Sequence, residues 1–99
     1  MSYADLVDQD VRLIILRALA DENDYTLNES ILSAVLETFG HRKSRAYIRE
    51  QLRFLADDLK AVAVSAAGTV QIARITDTGL DHVAGRIRLE GVKRPSPGL

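Results

Sequence analysis

Ser44-Arg45-Ala46-Tyr47-Ile48-Arg49-Glu50-Gln51-Leu52-Arg53-Phe54-Leu55, followed by Ala61-Val62-Ala63-Val64-Ser65 and Thr69-Val70-Gln71-Ile72-Ala73-Arg74-Ile75, is the stretch on which the fold turns. In its first part Ile48, Leu52, Leu55 and Leu59 recur at helical spacing, with Tyr47 and Phe54 widening one flank and Ser44 placed to cap the start. In its second part the period drops from 3.6 to 2, around the turn Ala66-Ala67-Gly68. A helix followed by a β-hairpin is the reading of that change.

Upstream, Thr26-Leu27-Asn28-Glu29 carries the spacing of a capping box, threonine with glutamate three positions later, and predicts the start of a second helix. Ile31, Leu32, Val35, Leu36 and Phe39 supply its apolar face, and Gly40 suits the left-handed position past its end. A first helix runs from about Ala4 to Glu22, with Val7, Val11, Ile14 and Ala18 at helical spacing. Leu13-Ile14-Ile15-Leu16 makes it apolar on more than one side, so it is either a central core helix or one shared with a second subunit. The expected dimer contact uses Leu6, Leu13, Ile15 and Leu16. Downstream, Thr76 caps a last helix from Asp77 to about Ala84. One domain over residues 1–84 and a basic, mobile tail over 85–99 with Pro95 and Pro97 complete the expected organisation, with no internal repeat.

At 99 residues, 46% hydrophobic and 27% charged, the chain has the balance of one small globular domain. It holds no cysteine, which excludes disulfides, thiolate metal sites and cysteine nucleophiles. No run of ~18 apolar residues is present, so no membrane span is expected. The start Met1-Ser2-Tyr3-Ala4-Asp5 lacks signal-peptide character, which gives a cytoplasmic expectation. A net charge of −1 is unevenly spread: residues 1–40 hold two arginines against eight acids, whereas residues 41–60 hold six Lys/Arg against three acids. Residues 86–99 add four basic residues against one acid. Two basic islands behind an acidic front can mark a polyanion-binding face.

The block Ile48-Arg49-Glu50-Gln51-Leu52-Arg53-Phe54-Leu55 resembles the recognition helix of winged-helix regulators. Ile75-Thr76-Asp77-Thr78-Gly79-Leu80 resembles the "LTxxG" stretch that follows the wing in many of them. The resemblance implies an α+β winged helix-turn-helix of three helices, a hairpin wing and a C-terminal helix, ArsR-like in layout. Metal-sensing members of that group use cysteine pairs, which this chain lacks. Over nearly its whole length, with Tyr25-Thr26-Leu27-Asn28-Glu29-Ser30 early and Gly91-Val92-Lys93-Arg94-Pro95-Ser96-Pro97 late, it is similar to small winged-helix proteins of Mu-like phages and prophages. That similarity implies a phage or prophage setting and, with the winged helix, a transcriptional regulator.

In such domains the third helix enters the major groove of double-stranded DNA with its first residues at base edges. Arg45, Arg49 and Arg53 align along one strip at ~100° per residue, and no acid at helical spacing on the same helix engages Arg45 or Arg49. Arg45 and Arg49 are expected nearest the bases, and Arg42, Lys43 and Ser44 at phosphates. Arg53 either joins that face or pairs with Asp57 four residues on. Lys93 and Arg94 form either a groove-tracking arm or a solubilising end. The hairpin tip Ala66-Ala67-Gly68-Thr69 has no cation, which argues for an alternative use as a protein-interaction adaptor. Enzymatic chemistry is not expected. His41 and His82 are far apart, Asp57-Asp58 reads as an exposed helix end, and Asp21, Glu22 and Asp24 lack the spacing of a calcium loop. No phosphate-cradling glycine loop occurs, and no cofactor or metal is expected.

Overall fold

A computed structural model describes residues 1–96 of the chain. Its centre is helix α1, Tyr3–Ala20, started by a Ser2–Asp5 capping box. Val11, Leu13, Ile14, Ile15, Leu16 and Leu19 of α1 are all buried, so the helix is enclosed by the rest of its own chain. Leu13, Ile15 and Leu16 therefore are not the free dimer surface the sequence suggests. They are spent in the core, and of the four expected contact residues only Leu6 remains exposed. The physical reason is that α2, α4 and the sheet pack against α1 from several directions.

The expected capping box at Thr26 is not formed. Thr26–Asn28 is a short strand, β1, and Asn28 caps α2 (Glu29–Thr38) by accepting from the Ile31 amide at 2.9 Å. Helix α2 divides its apolar residues. Leu32 and Leu36 enter the core, whereas Ile31 and Phe39 stay exposed. Helix α3, Arg45–Arg53, is capped by Ser44 as its sequence predicts, with Ser44 Oγ accepting from the Tyr47 amide at 3.1 Å. Ile48 and Leu52 dock it on the core. It ends in a π-helical turn over Phe54–Asp58, the one helical segment beyond the expected three plus a closing helix.

Strands β2 (Val62–Ala67) and β3 (Val70–Ile75) form the expected hairpin, compatible with a wing. Gly68 stands at φ +62 in the first of its two turn positions, where a tight hairpin turn favours glycine. β1 adds to the free edge of β3 with Thr26 opposite Arg74, giving an antiparallel sheet in the order β1-β3-β2. Helix α4, Asp77–Val83, is capped by Thr76, as its sequence predicts. Gly79 brings α4 against the sheet. An added Cβ there would lie 2.6 Å from Ile75 Cγ1 and collide with the Ala61 carbonyl oxygen, which accounts for glycine in the "LTxxG"-like segment.

The tail also departs from expectation. Val92 is buried, the Lys93 amide donates to the Gln9 carbonyl at 3.1 Å, and Arg12 Nη1 donates to the Gly91 carbonyl at 2.8 Å. His82 is the anchor. The Leu89 N–H donates to its Nδ1 at 3.1 Å, so the ring proton sits on Nε2 and is donated to the Lys93 carbonyl at 3.0 Å. Residues 85–93 are thus folded back on α1 and α4 rather than leaving the domain as a free arm. The last residues of the expected tail, 97–99, lie outside the described residues. Among the described residues no helix is long and apolar enough to cross a membrane.

Candidate nucleic-acid interface

The basic island at the start of α3 is assembled from a loop and one helical turn. Gly40 at φ +90 lets the chain reverse after α2, and Ser44 caps the helix that follows. Arg42 projects into solvent, with Glu37 at 3.6 Å as its nearest carboxylate and no hydrogen bond to it. Lys43 sits over the Tyr47 ring, 4.9 Å from its centroid. Arg45 is exposed, 3.7 Å from a Glu29 oxygen. These three cations and Ser44 surround the first turn of α3, where unpaired backbone N–H groups and the helix dipole favour an anion.

The strip of three arginines on α3 does not project as an open row. Arg49 turns toward Glu29 of α2 and grips it with both prongs of its guanidinium, Nε to Oε1 and Nη2 to Oε2, each at 2.8 Å. The same Nη2 donates to the Thr69 carbonyl at the hairpin tip, at 2.7 Å. Glu29 accepts a further bond from the Gln71 amide of β3, and its side chain is 1% exposed. The Arg49 hydrogen bonds hold the Glu29 carboxyl down to about 2 despite its burial, with the Gln71 amide and the charges of Arg49 and Arg45 adding to the effect. Arg49 is therefore a clamp joining α2, α3 and the hairpin, which corrects its expected place at a base edge. No acid on α3 itself engages Arg49, because its partner comes from 20 residues upstream.

Arg53 is corrected in detail. It pairs with Glu50, Nη2 to Oε1 at 2.7 Å, and not with Asp57. The π-helical turn from Phe54 takes Asp57 off the α-helical i, i+4 line. The pair is exposed on both sides, and Arg53 lowers the Glu50 carboxyl below its ordinary range.

From the tail, Lys93 reaches Asp10 of α1 at 3.3 Å. The other oxygen of Asp10 accepts from His41 Nε2 at 2.7 Å, so one carboxylate draws Lys93 to the loop that carries Arg42 and Lys43. Burial opposes ionisation of Asp10, but its bonds to His41 and Lys93 prevail and the carboxyl is lowered. Arg94 is exposed, with no ion pair among the described residues. Tyr47 lies against α1, where it donates to Asp8; burial and then that bond raise its phenol above the usual range. The α3 start is thus flanked by Asp8 and Asp10, which temper its positive charge.

Sequence reasoning missed Glu29, His82 and Asp10. Glu29 had a readable signal. It lies on the line of Leu32 and Leu36, i, i+3 and i+7, and a carboxylate on a core stripe needs a cation. No such local signal marks His82 as the anchor of a segment that follows it. Among the described residues, no group of three or more His, Asp or Glu side chains is placed to hold a metal ion.

Fold and site together define a small α+β protein in which the start of an arginine-rich helix is exposed beside a docked hairpin. The chain is 41% identical over 93 residues to the "Uncharacterized protein gp26" of Escherichia phage Mu, covering 94% of this chain and 95% of that protein. It belongs to the family of Mu gp26. An uncharacterized protein of Haemophilus influenzae is 42% identical over 57 residues, 58% of this chain and 55% of its own length. No protein-family model matches the chain, and no solved structure matches it.

Proposed function

We propose that the chain is a winged-helix protein that binds double-stranded DNA through the first turn of α3, in a regulatory role within a phage or prophage programme. The observation that carries this reading is the set around the Ser44 cap: Arg42 and Arg45, exposed, and Lys43, half-buried over the Tyr47 ring, none of them held by a hydrogen bond to a carboxylate. Arg45, at the N-terminal end of the helix, is the residue for a base edge, and Arg42, Lys43 and Ser44 are for phosphates. Arg49 keeps a different part in it: by holding the Thr69 carbonyl itself, and Glu29, which in turn accepts from the Gln71 amide, it sets the angle of the hairpin beside the DNA groove. Kinship with Mu gp26 supports the phage setting.

A second reading, a protein-interaction adaptor, is favoured by one observation. The hairpin tip, Ala66 to Thr69, carries no cation, and Arg49 and Arg53 are already matched by carboxylates. Fluorescence anisotropy with random-sequence duplex at two low salt concentrations separates the two. DNA binding predicts affinity that falls with salt; Arg42→Ala lowers the salt slope by about one, as the loss of one phosphate contact, and Arg42→Ala/Arg45→Ala weakens binding further. No binding at the lower salt refutes the DNA reading and leaves the adaptor.

A further inference from the structure

The sheet ends in two unlike edges. On the β1 side the strand is three residues long and runs straight into α2, and the Thr26 amide is taken by Asp24 Oδ1 at 3.2 Å. On the β2 side six residues, Val62–Ala67, pair with β3 in unbroken register, and among the described residues no strand lies beyond them. Ala67 and Val70 close the tight turn Gly68-Thr69, so Ala67, Ser65 and Ala63 turn their backbone groups to β3. Val64 and Ala66 turn theirs outward, and among the described residues no hydrogen bond reaches those groups. The strand carries none of the devices that keep an edge from pairing. It has no charge, no proline and no bulge, and Ala63 to Ala67 are all exposed. Val64, 37% exposed, is its one large apolar side chain left in water.

We infer that the β2 edge joins a second copy of the chain, the two β2 strands running antiparallel about a two-fold axis at Ser65. Unpaired backbone donors and acceptors along an edge are matched by another extended strand, and an antiparallel strand is its own complement. The side chains match as well. In this register Val64 of each copy faces Ala66 of the other, and each such pair exchanges both backbone bonds. Ala63 faces Ala67, and the two Ser65 hydroxyls meet at the axis as a cross-strand hydrogen-bonding pair. No charge is buried along the seam, because β2 has none. The ends fit too. Asp57, Asp58 and Lys60 precede the strand, whereas the tip Ala66-Ala67-Gly68-Thr69 is uncharged. Antiparallel pairing sets the charged start of each strand beside the bare tip of its mate, so no like charges meet. A seam of one strand is narrower than the ~800 Å² per partner of a stable interface, so the dimer is a weak, concentration-dependent one, with Kd on the order of 100 μM.

The inference does not rest on the DNA reading, and its test is done without nucleic acid. Sedimentation equilibrium of the full chain from about 10 μM to about 1 mM is expected to show monomer passing to dimer. Over the same range amide exchange at Val64 and Ala66 is expected to slow, while the Ser65 amide, already turned to β3, is expected not to respond. Ala66→Pro removes an outward N–H alone, a change that an edge strand tolerates, and Val64→Lys puts a charge on the seam. Each is expected to weaken the dimer more than ~10-fold. Both residues are exposed in the single chain, so circular dichroism and thermal melting at low concentration report whether the variants still fold. A monomer at the highest concentration overturns the inference. So does a dimer in which the Val64 and Ala66 amides stay unprotected, or one that folded Ala66→Pro and Val64→Lys form as readily as wild type.

Discussion

Glu29→Gln removes one negative charge from the clamp while keeping the side chain's shape. In the native chain this carboxylate accepts two bonds from Arg49 and one from the Gln71 amide. Glutamine can still accept from the Gln71 amide, but its NH2 faces a guanidinium and cannot accept. The folded carboxyl titrates at about 2 against an ordinary 4.5. At ~1.4 kcal/mol per pH unit, proton linkage gives a ceiling of about 3 kcal/mol. Arg49 is 37% exposed, so water screens the pair and offers Arg49 new partners once Glu29 is neutral. The expected loss is therefore about 2 kcal/mol at neutral pH, or about 8–16 °C in Tm for a domain of this size.

Because the folded pKa is depressed, this stabilisation is complete above the unfolded value near 4.5 and is lost as pH falls toward about 2. Urea unfolding of wild type and variant at pH 7, 4 and 2.5 is the assay. The difference should be largest at pH 7 and small at pH 2.5, and hydrogen exchange at the Gln71 amide should quicken in the variant at neutral pH. A loss under 0.5 kcal/mol at pH 7, or one that does not shrink on acidification, refutes the clamp.

Arg53→Ala, on the same strip of α3, should leave the urea-unfolding midpoint close to that of wild type, since its pair with Glu50 is solvent-exposed and screened. Gly79→Ala should destabilise by about 1–3 kcal/mol although alanine is the better helix former, because the new methyl meets Ile75 and the Ala61 carbonyl with no room to move; a melting temperature at or above wild type would contradict that packing. His82→Ala should cost about 2–4 kcal/mol by orphaning the Leu89 amide and the Lys93 carbonyl and leaving a cavity. Limited proteolysis should then cut first within residues 86–94, and a tail as resistant as in wild type would refute the anchor.

The parts of this protein legible in its sequence are those decided within a few residues. Ser44 and Thr76 cap helices because a hydroxyl there reaches an amide three positions on, and Gly68 turns the hairpin because its backbone accepts a positive φ. The cations at the start of α3 are legible for the same reason, being placed by the cap. What the tertiary structure decided is which faces meet. Thr26–Asn28 becomes a strand because the edge of β3, more than forty residues later, offers its hydrogen bonds. Ile31 and Phe39 share an apolar pattern with Leu32 and Leu36, but only the packing of α1 against α2 separates those that enter the core from those left exposed. The apolar run of α1 reads equally as core or as interface until α2, α4 and the sheet close over it. Arg49 and Arg45 stand on one strip of α3 and look alike in sequence. They differ because Arg49 alone completes a paired hydrogen-bonded fork with Glu29, a carboxylate whose burial demands a charge partner and whose position only the docking of α2 on α3 determines.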